Sequence, residues 1–401
     1  MSAYILRDEY LDFLMRSANK PIIKVVSGIR RCGKSSLLEM FKEHLLSTGV
    51  TGEQIVSVNF EELDYEYLCD YKLLYAYVKE RLVTGKTTYI FLDEIQHVKD
   101  FEKAVDSLFI KKNVDLYITG SNAYFMSGEL ATLLSGRYIE LQMLPFSFKE
   151  YCSATLDKPI QEKYNDYITR GSFPYSTVHA HTEKDAVEYL RGLYNTILVK
   201  DIATRYAIGD LTMLESVIRF IFANVGSRLS PANIANAMTS NGRQINNKTV
   251  EKYLNALVKS LMVYEAKRYN VKGKAILKLQ EKYYIADMGL RFMLLGGKNL
   301  DVGHILENVV YLELLRRGYE VYVGEVGANE LDFVAVSESG SLYIQVAASV
   351  RAPETLKREL TSLQKISDNY PKLILTLDDD PDADYDGIIR TNVLKWLLAS
   401  S

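Results

Sequence analysis

Cysteine is scarce: Cys32, Cys69 and Cys152 are the only three in 401 residues. They are far apart, with neither a CxxC pair nor the spacing of a metal site, so free thiols in a reducing compartment are expected. An excess of charge of one sign is missing as well. The 48 basic and 51 acidic side chains leave a net charge of −3, which excludes a global basic footprint for nucleic acid but not a local patch. No apolar run is long enough to cross a bilayer. The opening MSAYILRDEY has no basic start followed by an apolar stretch, so no secretory signal is expected. A cytoplasmic location is the resulting expectation. Internal repeats are absent too.

What is present is an ordinary globular composition, 48% hydrophobic, 25% charged and 11% aromatic, over a length that suggests roughly two to four domains. The first third of the chain alternates strand-like and helix-like segments. Pro21–Ser27, Gln54–Phe60, Thr88–Leu92, Val114–Thr119 and Tyr138–Leu144 read as buried strands, and Lys34–Leu46 and Leu63–Val83 as helices. Continuous apolar strands between helices predict a parallel sheet covered on both faces. Beyond residue 156 the strands stop. Ile160–Tyr206 reads as helices interrupted at Gly171–Pro174, a turn signal. Three helices follow, Leu211–Asn224, Ala232–Met238 and Asn247–Leu261. Two strand-like runs come next, Met262–Tyr269 and Ala275–Ile285, joined at Lys272-Gly273. That order predicts a winged helix-turn-helix. The tail returns to α/β: a helix His304–Arg317, strands Glu320–Val323, Leu331–Val336 and Leu342–Ala347, a helix Leu356–Ser367, a strand Lys372–Thr376 and a helix Asn392–Leu398. The acidic run Asp378–Asp386 reads as a solvated loop.

The strongest chemical signal is Gly28-Ile29-Arg30-Arg31-Cys32-Gly33-Lys34-Ser35, which fits G-x-x-x-x-G-K-[ST] between a strand and a helix. Glycines let the backbone curl so that its N–H groups face a polyphosphate, and the helix N-terminus adds positive potential. In this reading ATP lies on Gly28 through Ser36, Lys34 reaches the β and γ oxygens, and the Ser35 hydroxyl ligates Mg²⁺. The Mg²⁺ needs an acidic partner at a neighbouring strand end. Tyr89-Ile90-Phe91-Leu92-Asp93-Glu94 offers Asp93 for that role and Glu94 as the general base that polarises the attacking water. A third polar group is expected at the end of the strand between these two, with Asn122 or Ser121 first and Thr119 as runner-up. Arg137, just past a helix in LLSGRY, is a candidate arginine finger acting on a neighbouring subunit of a homo-oligomer. Arg30 and Arg31 are alternatives for charge near the nucleotide.

Taken together and in this order, GIRRCGKSSLL, YIFLDEIQHV, YITGSNAYFMSGELATLLSGRY and LPFSFKEY resemble a family of prokaryotic AAA+-type ATP-binding proteins. The segments TILVKDIATRY, EKYYIADMGLR, LENVVYLELLRRGYEVYVG and LDFVA extend the resemblance over essentially the whole chain. It implies a P-loop ATPase core (1–155), a helical lid region (156–208), a winged helix (209–285) and a C-terminal restriction-endonuclease-like α/β domain (286–401). It implies no settled biological role.

Two side readings follow. Lys248, Lys252 and Lys259 lie off the apolar stripe of the third helix, Arg243 precedes it, and Lys267, Arg268, Lys272, Lys274 and Lys278 sit on the hairpin. The local basic patch therefore coincides with the candidate DNA-reading module, and duplex DNA or a protein is its candidate partner. In the tail, a restriction-type nuclease holds its metal with an Asp on one strand and an E-x-K on the next. Glu307 and Asp332 fit, but the third element reads Gln345-Val346-Ala347, which removes one charge and the water-activating lysine. Glu325 and Glu330 are the nearby carboxylates. A fold kept for binding is thus expected over a nuclease.

Overall fold

The computed structural model describes residues 4–120, 134, 136–155, 158–297 and 301–399. The chain folds into two compact units, Met1–Pro145 with Lys259–Leu261, and the remainder.

In the first unit, strands β1 (Ile23–Gly28), β2 (Ile55–Asn59), β3 (Thr88–Asp93), β4 (Val114–Thr119) and β5 (Tyr138–Met143) form a sheet of order β2-β3-β4-β1-β5 among the described residues. Every pairing is parallel. All six residues of β1 and of β3 are buried, as expected for strands covered on both faces. On one side Leu74 and Val78 of the helix Tyr71–Glu80, with Ala104, Val105 and Leu108 of Phe101–Phe109, close over Val25, Ile90 and Ile118. Each fully buried aliphatic side chain of this kind contributes about 1.5–3 kcal/mol. Elsewhere in the unit Phe41 packs against Phe91 and Tyr117. Lys24 and Asp115 form a buried ion pair on adjacent strands, which Tyr117 Oη joins by donating to Asp115.

One expectation needs correction here. Leu63–Val83 is not one helix but a 3₁₀ segment, Leu63–Leu68, and a helix, Tyr71–Glu80. Asp70 divides them, because its carboxylate accepts from the Lys72 and Leu73 N–H groups and so starts a new helix.

In the second unit, helices Phe148–Ala154, Ile160–Arg170, Pro174–His179 and Glu183–Thr196 lead into a π-helical segment, Ile197–Thr204. Helices Leu211–Ala223, Pro231–Ser240 and Asn247–Lys259 follow. The remaining strands are β6 (Arg228–Leu229), β7 (Val263–Asn270), β8 (Ala275–Ile285), β9 (Glu320–Val326), β10 (Asn329–Ser337), β11 (Gly340–Ala347), β12 (Lys372–Thr376), β13 (Ala383–Tyr385) and β14 (Ile388–Asn392). They make one mixed sheet, β13-β14-β12-β11-β10-β9-β7-β8-β6. The β7–β8 hairpin is therefore not a free wing. Its β7 edge pairs in parallel with β9, matching Arg268 to Val323 and Asn270 to Glu325. The acidic run is also not wholly a solvated loop. Asp378 is buried and accepts from the Val350 N–H, and β13 lies within the run.

Candidate functional site

The phosphate-loop motif leaves the C-terminal end of β1 and enters the helix Lys34–Ser47. A side chain at Gly28 would lie 2.6 Å from the Met143 carbonyl oxygen and 2.7 Å from Cys32 Sγ, so only glycine fits there. Gly33 has φ of 106°, open to glycine and strained for other residues. The loop is curled, as a polyphosphate cradle requires.

Six polar side chains converge beside it. β4 lies between β1 and β3. Its last residue, Thr119, donates to the Asp93 carboxylate and accepts from the Glu94 N–H at 3.0 Å. The Ser35 hydroxyl lies close enough to Asp93 to act on its pKa as well. Lys34 Nζ donates to the Gly28 carbonyl at 3.3 Å and sits 3.6 Å from Glu94 Oε1. Gln96 donates to the other Glu94 oxygen. Glu94 itself has φ of 52°, the left-handed region, uncommon for a residue with a side chain and often associated with functional sites.

The electrostatics separate the two carboxylates. Burial raises the Asp93 pKa, and Ser35 and Thr119 only partly offset this. Burial pushes Glu94 up too, but the Lys34 charge, the Gln96 bond and Arg30 outweigh it and leave it below the ordinary carboxylate range. Lys34 is drawn down by burial and raised further by Cys32, Glu94 and Asp93, so it stays protonated. A cation, an ionised base and a hydroxyl-bound carboxylate thus stand together at the C-terminal edge of the sheet, around the end of β4.

Of the remaining sequence candidates, Arg30 is 3.5 Å from Glu61, and Arg31 is exposed at φ of 66°. Arg137 is exposed just before β5, its carbonyl accepting from Ile23 at the start of β1. That is the opposite end of β1 from the phosphate loop. Asn122 and Ser121 lie outside the described residues. Thr119, the runner-up, is the group placed between Asp93 and Glu94. The basic residues Arg243, Lys248, Lys252, Lys267, Lys272 and Lys274 are exposed. Arg268 instead pairs with Glu325.

An uncharacterized protein of Haemophilus influenzae is 38% identical over 401 residues, covering 99% of both chains. The chain belongs to that protein's family. An uncharacterized protein of Methanocaldococcus jannaschii is 29% identical over 387 residues, covering 89% of this chain and 82% of that one. Residues 20–152 match the AAA domain, and residues 161–301 match a domain of unknown function (DUF8612). Among solved structures, a Walker-type ATPase of Pyrococcus abyssi is 19% identical with a TM-score of 0.49, covering 73% of this chain and 96% of that chain. The Orc1 protein of Aeropyrum pernix, solved in complex with DNA, is 12% identical with a TM-score of 0.30, covering 73% and 94%. Both scores are too low to carry more than a loose similarity.

This member of the family has a second polar cluster, in a cleft of about 760 Å³ in its tail. The candidate nuclease residues do meet there, in the company of one that the sequence reading passed over. Lys282 of β8, 4% exposed, lies 2.7 Å from Glu307 Oε1, 2.8 Å from Glu330 Oε1 and 4.0 Å from Asp332 Oδ1. Gln345 accepts from the Asp332 N–H at 2.7 Å and donates to Glu359 at 2.7 Å. The Lys282 ammonium therefore lies among the carboxylates, and burial is outweighed by Glu307, Asp332 and Glu330, which keep it charged. Among the described residues, no three His, Cys, Asp or Glu side chains are arranged to hold a metal ion.

Burial, then the Glu307 charge, push the Asp332 carboxyl up to about 8, against the opposing pull of Lys282. The sign is definite. A carboxyl whose folded pKa exceeds its ordinary value of 3.8 binds its proton more tightly when folded. Its contribution is complete at low pH and is lost as pH rises to about 8. Denaturant midpoints measured between those limits should fall more steeply with pH for the native protein than for Asp332→Asn. The slopes should differ by up to one proton, about 1.4 kcal/mol per pH unit. Parallel profiles would contradict the assignment.

Proposed function

We propose that the protein is a Mg²⁺-dependent ATPase of the AAA+ type whose nucleotide cycle switches contacts made elsewhere in the chain. The observation that carries this reading is the convergence of Lys34, Ser35, Asp93 and Glu94 beside a curled glycine loop. Lys34 and the loop N–H groups hold the phosphates, and Glu94 takes the proton of the attacking water. The Ser35 hydroxyl and the Asp93 carboxylate lie beside each other, an all-oxygen pair suited to Mg²⁺. When bound, Mg²⁺ supplies positive charge to the phosphoryl oxygens. Glu94, held toward Lys34 before nucleotide arrives, is freed for water once the γ-phosphate takes over the lysine. Arg137 acts, in this reading, only on a neighbouring copy.

The candidate partner is duplex DNA. Exposed Arg243, Lys248, Lys252, Lys272 and Lys274 on or beside the helix Asn247–Lys259 and the hairpin support it, as a winged-helix footprint on phosphates. Steady-state ATP hydrolysis with and without duplex DNA, at low and moderate salt, tests the coupling. Stimulation that fades with salt is expected. Hydrolysis indifferent to DNA would transfer the patch to a protein partner, with ATP as a timer. No cutting step is proposed for the tail, where Lys282 stands among the carboxylates and Gln345 and Ala347 replace Glu and Lys.

A further inference from the structure

Arg7 lies outside the segment that matches the AAA domain, yet its side chain reaches the phosphate loop. It is 2% exposed. Its Nη1 donates to the Cys32 carbonyl at 2.9 Å. Its Nη2 donates to the Leu144 carbonyl at 2.9 Å and the Pro145 carbonyl at 3.4 Å. The guanidinium lies 4.6 Å from the Tyr10 ring centre, and Tyr10 Oη accepts from the Leu144 N–H at 3.2 Å. One planar fork thus ties the loop to the chain that follows β5.

The bond to Cys32 has a consequence for the cradle. Among the described residues no peptide bond is cis, and across a trans peptide the carbonyl and the next N–H point in opposite directions. Fixing the Cys32 carbonyl toward Arg7 therefore fixes the Gly33 N–H on the other side. A lock is needed at this place. Gly33, at φ of 106°, tolerates both signs of φ, so the Cys32–Gly33 peptide can flip at little cost. A flipped peptide would replace an N–H with a carbonyl oxygen, an acceptor that repels an anion.

We infer that Arg7 is a positioning residue that holds the Cys32–Gly33 peptide in its anion-binding orientation, and thereby sets the affinity of the loop for the polyphosphate of ATP. This rests on the reading of Gly28–Ser35 as the nucleotide site. The orientation is the same in ground state and transition state, so its loss raises KM and leaves kcat nearly unchanged. A mere staple would behave differently, lowering the active fraction, and with it turnover per mole, at constant KM.

The experiment is MgATP binding and steady-state hydrolysis by the full-length native protein, Arg7→Ala, Arg7→Lys and Lys34→Ala. Arg7→Ala is expected to raise Kd and KM about tenfold with kcat within about twofold, the tenfold corresponding to about 1.4 kcal/mol. Arg7→Lys keeps the charge but lacks a fork to span Cys32 and Leu144 at once, and should fall between native and Arg7→Ala. If Arg7→Ala does not fold, a raised KM in Arg7→Lys upholds the inference and a native KM overturns it. Native Kd and KM in both Arg7 variants, with Lys34→Ala impaired, would overturn this inference and leave the nucleotide site standing. A native protein that binds no MgATP would overturn both.

Discussion

Lys34→Ala is expected to weaken MgATP binding by roughly 100-fold or more and to abolish measurable turnover. The ammonium is 4% exposed and held between the Gly28 carbonyl and the Glu94 carboxylate. No other Lys or Arg is seen so placed among the described residues: Arg30 turns toward Glu61, and Arg31 is exposed. The substitution also leaves Glu94 without the cation that lowers its pKa. Fluorescent-nucleotide titration together with phosphate release checks both effects, and unchanged turnover would remove the phosphate site from Gly28–Ser35.

Glu94→Gln should have the second-largest effect, with the opposite signature. The amide keeps the shape of the carboxylate, and binding should stay within a few-fold of native. Hydrolysis should fall by about 10²–10⁴, the usual contribution of a positioned general base. Because Glu94 lies below the ordinary carboxylate range, turnover in the native protein should hold up on mild acidification rather than decline through pH 6. A rapid-quench measurement on preformed Glu94→Gln·MgATP separates the steps. If binding is lost as well, Glu94 belongs to holding the metal rather than activating water.

The legible part of this protein is the part written locally. Eight consecutive residues spell the phosphate loop, and four apolar residues before Asp93-Glu94 announce a strand end. The structure puts them at the tips of β1 and β3, on either side of β4, because a parallel sheet aligns its C-terminal ends. Thr119 was harder to place, since a strand-end threonine has many uses and only its position between β1 and β3 selects one. Arg7 and Lys282 carried no signal. Arg7 meets partners 25 and 137 positions away, and Lys282 meets Glu307 25 positions away, distances over which no periodicity speaks. The pairing of β7 with β9 was likewise invisible, because an amphipathic hairpin looks the same whether its outer edge is free or paired. Asp70 shows the reverse failure: a continuous apolar pattern over Leu63–Val83 concealed a capping side chain.

The pairing of β7 with β9 also limits how this chain can be taken apart. Cutting after Ile285, where a sequence reader would separate hairpin from tail, would strip β7 of its β9 partner and uncover a row of backbone donors and acceptors. Lys282 would be left buried without Glu307, Glu330 and Asp332. Each half would inherit a sticky edge or an orphaned charge. The hairpin and the tail are consequently a single folding unit, to be kept whole in any truncation.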